Sequence, residues 1–149
     1  MMRINLIADG KRLFAHHELA CRCCDLVKLA LGFGAKLIEL RLKFGLPMFL
    51  NSCCRCPEHN KDEKGHKRSL HLTENPVHET GGTCGIDVER QDDAYNAKLV
   101  EDAWELGWSV GISDGFIHLD RRSDYTDLIQ HMFYYAGYTG KNFDYVKEL

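Results

Sequence analysis

A chain of 149 residues with 44% hydrophobic and 28% charged side chains holds enough apolar surface for the core of one domain and gives no reason to invoke a second. Its formal net charge is -3, with Lys and Arg dispersed among Asp and Glu, so it lacks the basic face that phosphate neutralisation needs, and nucleic acid is not an expected partner. Asp9, Lys11 and Arg12 interrupt the early apolar stretch before a signal-peptide core forms, and no later apolar run is long enough to span a bilayer, so a protein made in the cytoplasm is expected.

In chain order, Cys21, Cys23 and Cys24 precede a segment from Asp25 to Phe44 in which Leu26, Leu29, Phe33, Leu37, Leu40 and Phe44 recur at three- and four-residue steps. The spacing predicts one core helix, capped by Asp25 and ended by Gly45 and Pro47, with Gly32 and Gly34 weakening its middle. "LPMFLNS" reads as a buried strand, and the charged, His-rich sequence from Arg55 to Gly82 reads as a long loop of the kind that usually carries function. "CGIDVE" resumes as a strand. "DDAYNAKLVEDAWELG" predicts a helix with an Asp cap, an apolar face of Tyr95, Leu99, Val100 and Ala103, and Gly107 as its stop. "WSVGI" and "FIHLD" read as a hairpin joined by the turn "SDG", and "TDLIQHMFYYA", from Thr126 to Ala136, is expected as a last amphipathic helix. Helices mixed with locally paired strands predict an α+β fold, a single domain over residues 1–149 with a small antiparallel sheet packed against helices.

Two kinds of chemistry stand out. The seven cysteines fall into two close groups, Cys21, Cys23 and Cys24 and then Cys53, Cys54 and Cys56, with Cys84 apart. They could form a structural zinc site, with buried or paired thiols as the competing reading. Of the eight histidines, His118 lies inside the apolar strand "FIHLD", and Asp87 lies inside "GIDVE". A buried imidazole and a buried carboxylate each require a partner. On neighbouring strands, with His71 supplied from the loop, they offer three ligands to a zinc ion and leave a fourth position for water, whose pKa the ion would lower. The alternative is a structural hydrogen-bond network among the same groups.

The order of motifs resembles the zinc D-alanyl-D-alanine carboxypeptidases and related peptidoglycan peptidases, which share their metal-site fold with the hedgehog signalling domain. The likeness runs from about Leu13 to Arg122 and rests on "LFAHHELACRCC", on "LRLKFGLPMFLNSCCRCPEHN", on "SLHL" followed by "GIDV", and on "FIHLD". It implies Zn2+ held by His71, Asp87 and His118, with Arg55 binding a substrate carboxylate or polarising the scissile carbonyl and Ser69 contacting substrate or supporting the site. Three features depart from the pattern. The His and Asp ligands are sixteen residues apart rather than seven, with "NPVHETGG" resembling an insertion; Cys53 and Cys54 replace the usual Gly-Tyr; and Gly115 stands where some relatives carry an acid. Asp114, in the turn, could serve as general base only if the hairpin turned it inward, Asp120 could orient a ligand or shuttle a proton, and His78 and Glu79 are outside candidates for acid or base work.

The expected function is therefore hydrolysis of a peptide bond in a peptidoglycan stem peptide by a monomeric zinc peptidase. It would be a carboxypeptidase or an endolysin-type endopeptidase that meets the cell wall after release. Two other classes remain open at this point. One is a zinc-binding module on the same fold without turnover; the other makes the cysteine clusters the metal site and the histidines incidental.

Overall fold

The computed structural model describes residues 2–63 and 65–139. The chain opens with a hairpin of β1 (Leu6–Ala8) and β2 (Lys11–Phe14), followed by the single helical turn α1 (His16–Leu19). The helix α2 (Phe33–Phe44), the strand β3 (Leu50–Ser52) and the short helix α3 (Pro57–Asp62) come next. After a long irregular segment the chain forms β4 (Gly85–Glu89), α4 (Asp93–Glu105), β5 (Ser109–Ile112), β6 (Phe116–Asp120), the turn of helix α5 (Arg122–Tyr125) and β7 (Met132–Tyr134). Five strands make one sheet in the order β3-β4-β6-β5-β7. The fold is α+β, as the mixture of periodicities predicts. Among the described residues no helix is long and apolar enough to cross a membrane.

The helices α2 and α4 pack on one face of the sheet because each carries an apolar stripe. Phe33, Leu37, Leu40 and Phe44 from α2, and Leu99, Val100 and Ala103 from α4, are buried together with Ile86, Val88, Ile117 and Leu119 from the two central strands. Trp108 closes this core, its ring edge-on to Phe33 at 5.5 Å between centroids. Asp92 caps α4 by accepting from the Tyr95 amide at 2.8 Å, and Gly45 ends α2 with φ 74°, where any side chain would be strained.

Two expected helices take other forms. The segment from Asp25 does not enter α2, which begins after Gly32; Asp25 itself has φ 60°. Residues 26–31 instead lie alongside the chain near Thr83, where the Ala30 amide donates to the Thr83 carbonyl at 2.9 Å and the Thr83 amide to the Lys28 carbonyl at 2.8 Å. A backbone partner more than fifty positions away thus overrides the local helical period. The tail expected as a helix contains β7, which runs parallel to β5 with Val110 opposite Met132 and Ile112 opposite Tyr134. It supplies the outer edge of β5 with hydrogen-bond partners, and its aromatic side chains suit a pleated surface.

Candidate metal centre

Antiparallel pairing puts Asp87 directly opposite His118 in the β4–β6 ladder. The same transverse row continues through Gly111 on β5 to Phe133 on β7, and in the other direction to Ser52 on β3. One row therefore crosses all five strands on the face away from the helices, while Ile86, Val88, Ile117 and Leu119 alternate into the core. The sheet alone brings together two groups whose sequence separation is 31.

His71 arrives from the irregular segment between α3 and β4. Its carbonyl accepts from the Arg55 amide at 2.9 Å and from the Thr83 hydroxyl at 2.8 Å, and the neighbouring Leu70 carbonyl accepts from the Cys84 amide at 2.9 Å. Both ends of the insertion are thereby fastened. Within it, Asn75 donates to the carbonyls of Arg68 and Ser69 and accepts from the amides of Val77 and His78, so the extra residues close on themselves as a compact loop.

One ligand atom each from His71, Asp87 and His118 lies within 4.8 Å of the other two. His118 Nδ1 is 2.8 Å from Asp87 Oδ1, and His71 Nε2 is 3.1 Å from the same oxygen. That second approach is close but is not aligned as a hydrogen bond, and His71 Nε2 is a buried polar atom without a hydrogen-bond partner. The reason lies on the other side of the ring. His71 Nδ1 is 2.9 Å from the Cys53 carbonyl, which can only accept, so Nδ1 carries a proton and Nε2 is the ring atom left facing Asp87. A buried ring nitrogen without a hydrogen-bond partner beside a buried carboxylate oxygen is satisfied by a positive charge, a proton or a metal ion, between them. The donor set, two imidazoles and a carboxylate, is one that zinc accepts in open, catalytic geometry, so the residues present fit that ion.

The outer groups hold the inner ones in place. Asp120 Oδ2 lies 2.7 Å from His118 Nε2, which leaves Nδ1 facing Asp87. Asp120 in turn accepts from the Arg122 amide, Nε and Nη2 at 2.9, 3.0 and 2.7 Å. Burial would lower the basicity of His118, but Asp120 and Asp87 outweigh it and raise its pKa to about 9. Burial would raise the Asp87 carboxyl, yet His71 and His118 together hold it far below the ordinary carboxylate range. The site as built therefore stabilises positive charge next to Asp87.

A cleft of about 600 Å³ opens over this row and is lined by His71, Asp87 and His118 together with Arg55, Ser69 and Asp120. Arg55 places Nη2 3.7 Å from Asp87 Oδ2 while donating to Asn60 Oδ1 and Ser52 Oγ at 3.1 and 3.2 Å. Ser69 Oγ accepts from the His71 amide at 3.3 Å, so it caps the turn that delivers the histidine and also lines the cleft. Asp114 is not brought to the site. It lies in the exposed β5–β6 turn, and its Oδ1 accepts from the Thr139 amide and hydroxyl, both at 3.1 Å, so the hairpin turns it outward. His78 lines the cleft, whereas Glu79 is not among its lining residues.

Several lining residues escape a reading of the sequence alone. Arg68, Arg122, Phe133 and Tyr135 all face the cleft. Arg122 follows Asp120 by two positions, and only the turn after β6 folds its guanidinium back onto that carboxylate. On the helix that the sequence predicts over 126–136, the alternate spacing of Phe133 and Tyr135 carries no meaning; beside β5 they share one face. Gly111 makes room for them, since a Cβ there would stand 2.5 Å from Phe133 Cζ and 2.8 Å from Tyr135 Cε2. Burial, with Asp87 and Asp120 nearby, raises the Tyr135 phenol and keeps its proton on, so it is a hydrogen-bond donor at the cleft wall.

A carboxylate and two imidazoles converging at the floor of a cleft form a candidate site for a single metal ion. The family model described as Peptidase M15 matches residues 13–120, well over half of the 149, and the chain belongs to that peptidase family. No curated protein and no solved structure matches it.

Proposed function

We propose that the protein is a zinc peptidase that cleaves a peptide bond close to a free carboxylate, with the stem peptide of peptidoglycan as its substrate. His71, Asp87 and His118 would hold the ion. The observation that carries this reading is the convergence of those three side chains, with His71 Nε2 left unpartnered, at the floor of a cleft on whose walls stand three arginines. A bound zinc ion supplies Lewis acidity, which polarises an amide carbonyl and lowers the pKa of a water.

The chain's own residues supply the rest. Arg55 and Arg68 give the cleft a positive wall although the chain as a whole is acidic, which suits an anionic peptide end. Arg55 stands beside Asp87 and is placed to hold a substrate carboxylate or an amide oxygen that gains charge. Tyr135 keeps its proton and offers a donor from the cleft wall. Asp120 is a positioning residue rather than a base, because both of its oxygens are occupied by Arg122 and His118. The imidazoles of His66 and His78 line the cleft and are placed to carry the proton that the leaving amine takes up.

Incubation of the zinc-loaded protein with purified peptidoglycan tests this reading. Release of an amino acid or peptide is expected, abolished by a chelator, restored by zinc and absent in His118→Ala. A zinc-loaded, folded protein that releases nothing from wall preparations of several stem-peptide types would overturn it in favour of a binding module. One observation favours that second reading: among the described lining residues the only carboxylates are Asp87 and Asp120, and both are engaged.

A further inference from the structure

The thiols at the start of the chain lie away from the cleft, and peptide hydrolysis makes no use of them. Cys21 and Cys24 stand three residues apart, and their Sγ atoms and that of Cys56 all lie within 4.8 Å of one another. Two of these sulfurs come from one turn and the third from the segment that leads into α3. The turn is closed on itself by hydrogen bonds from the Cys21 amide to the Leu26 carbonyl and from the Asp25 amide to the Cys21 carbonyl, both 2.9 Å. Asp25, immediately after the second sulfur, takes φ 60°, the left-handed conformation that a non-glycine residue adopts at a cost and that turns the chain back here.

The sulfurs sit among amide donors. The Cys56 amide donates to Cys21 Sγ at 3.4 Å and the His59 amide to Cys56 Sγ at 3.3 Å. Such donors stabilise a thiolate over a thiol. Cys23 lies exposed in the same turn, lining one surface hollow with Cys21 and Cys24, and none of the seven cysteines is in a disulfide.

We propose that Cys21, Cys24 and Cys56, with Cys23 as the fourth sulfur, hold a second, structural zinc ion that is independent of the His71–Asp87–His118 centre. Three gathered sulfurs with a fourth beside them match the tetrahedral, all-thiolate coordination that zinc takes in closed sites. As each sulfur–zinc bond forms, the thiol proton leaves to solvent and no electron is transferred. The ion ties the turn after α1 to the segment that carries Arg55. That segment is already held by the Cys54 amide on the Leu19 carbonyl at 3.0 Å and by the Arg55 amide on His71 at 2.9 Å. The second ion thus braces the wall of the cleft from behind.

Cobalt loading of the full chain under reducing conditions tests this proposal. A near-ultraviolet sulfur-to-cobalt charge-transfer band is expected in the wild type, unchanged in His71→Ala and lost in Cys24→Ser, with zinc content falling from two ions per chain to one in either variant. Alkylation of the wild type serves if Cys24→Ser does not fold. Cys23 and Cys24 are exposed, so both should be protected in the zinc-loaded protein and react rapidly once zinc is chelated. Absence of the charge-transfer band with rapid alkylation in excess zinc would overturn the proposal. So would a disulfide between any two of these cysteines under the same conditions. Because His71→Ala leaves the thiolate signal in place, the outcome does not depend on peptidase activity.

Discussion

Asp87 meets more of the site than any other side chain. His71 and His118 both approach its Oδ1, at 3.1 and 2.8 Å, and Arg55 approaches its Oδ2. A carboxylate 8% exposed tolerates this position only because cations or donors surround it. The neighbouring Asp120 acts through His118. Replacing it by Asn keeps the shape but removes the charge that orients the imidazole, and zinc affinity should fall by roughly 10- to 100-fold; competition with a chromophoric chelator measures this, and an unchanged affinity would show that His118 needs no such partner. Arg55→Lys keeps the charge but loses the planar fork that spans Asn60, Ser52 and Asp87. It should lower kcat/KM by roughly 100-fold, on the scale of losing a donor to developing oxygen charge, with zinc content unchanged.

At the scale of elements, the β4–β6 ladder and the β5–β7 pair do different jobs. The first aligns Asp87 with His118, and the second brings Phe133 and Tyr135 over the cleft. Gly111 is where they meet, buried between His118 on one side and Phe133 on the other. Gly111→Val should cost about 1–3 kcal/mol, because the added side chain has no room beneath the two aromatic rings. Urea unfolding checks the stability loss, and a drop in activity larger than the loss of folded protein would show that β7 has moved off the cleft. The aromatic wall and the strand that carries it were hidden from local reading because a parallel edge strand is selected by its neighbour's open hydrogen bonds, not by its own period. A turn's sequence likewise does not say which way its side chain points, and it is the hairpin that directs Asp114 toward Thr139.

For the molecule as a whole, the chain folds its core on one face of a sheet and its chemistry on the other, so the two are separable. Saturating zinc should raise the unfolding midpoint of the wild type. A single site filled at about 100 times its dissociation constant contributes about 2.7 kcal/mol. Repeating the measurement with His71→Ala should leave only the part of the shift that belongs to the cysteine site. A wild type whose midpoint is indifferent to zinc and to chelators would argue against both sites together. By contrast, Leu37→Ala, in the helix layer, should cost about 2–5 kcal/mol while leaving the zinc affinity expected of the His71–Asp87–His118 centre intact, as that centre lies on the face of the sheet away from the helices.

What each segment can bury is written locally in the chain. Alternation in "GIDVE" and "FIHLD" forces an imidazole and a carboxylate onto strands, the caps and stops of α4 and the end of α2 are local, and both cysteine groups are visible as groups. Which of these groups meet depends on how distant segments pair. The register of β4 against β6, the fastening of the insertion at Thr83, and the approach of Cys56 to the turn of Cys21 and Cys24 are contacts between residues far apart in the chain. The physical reason is that periodicity and capping act within a few residues, whereas a binding site is made where backbone ladders bring distant residues within a few ångströms.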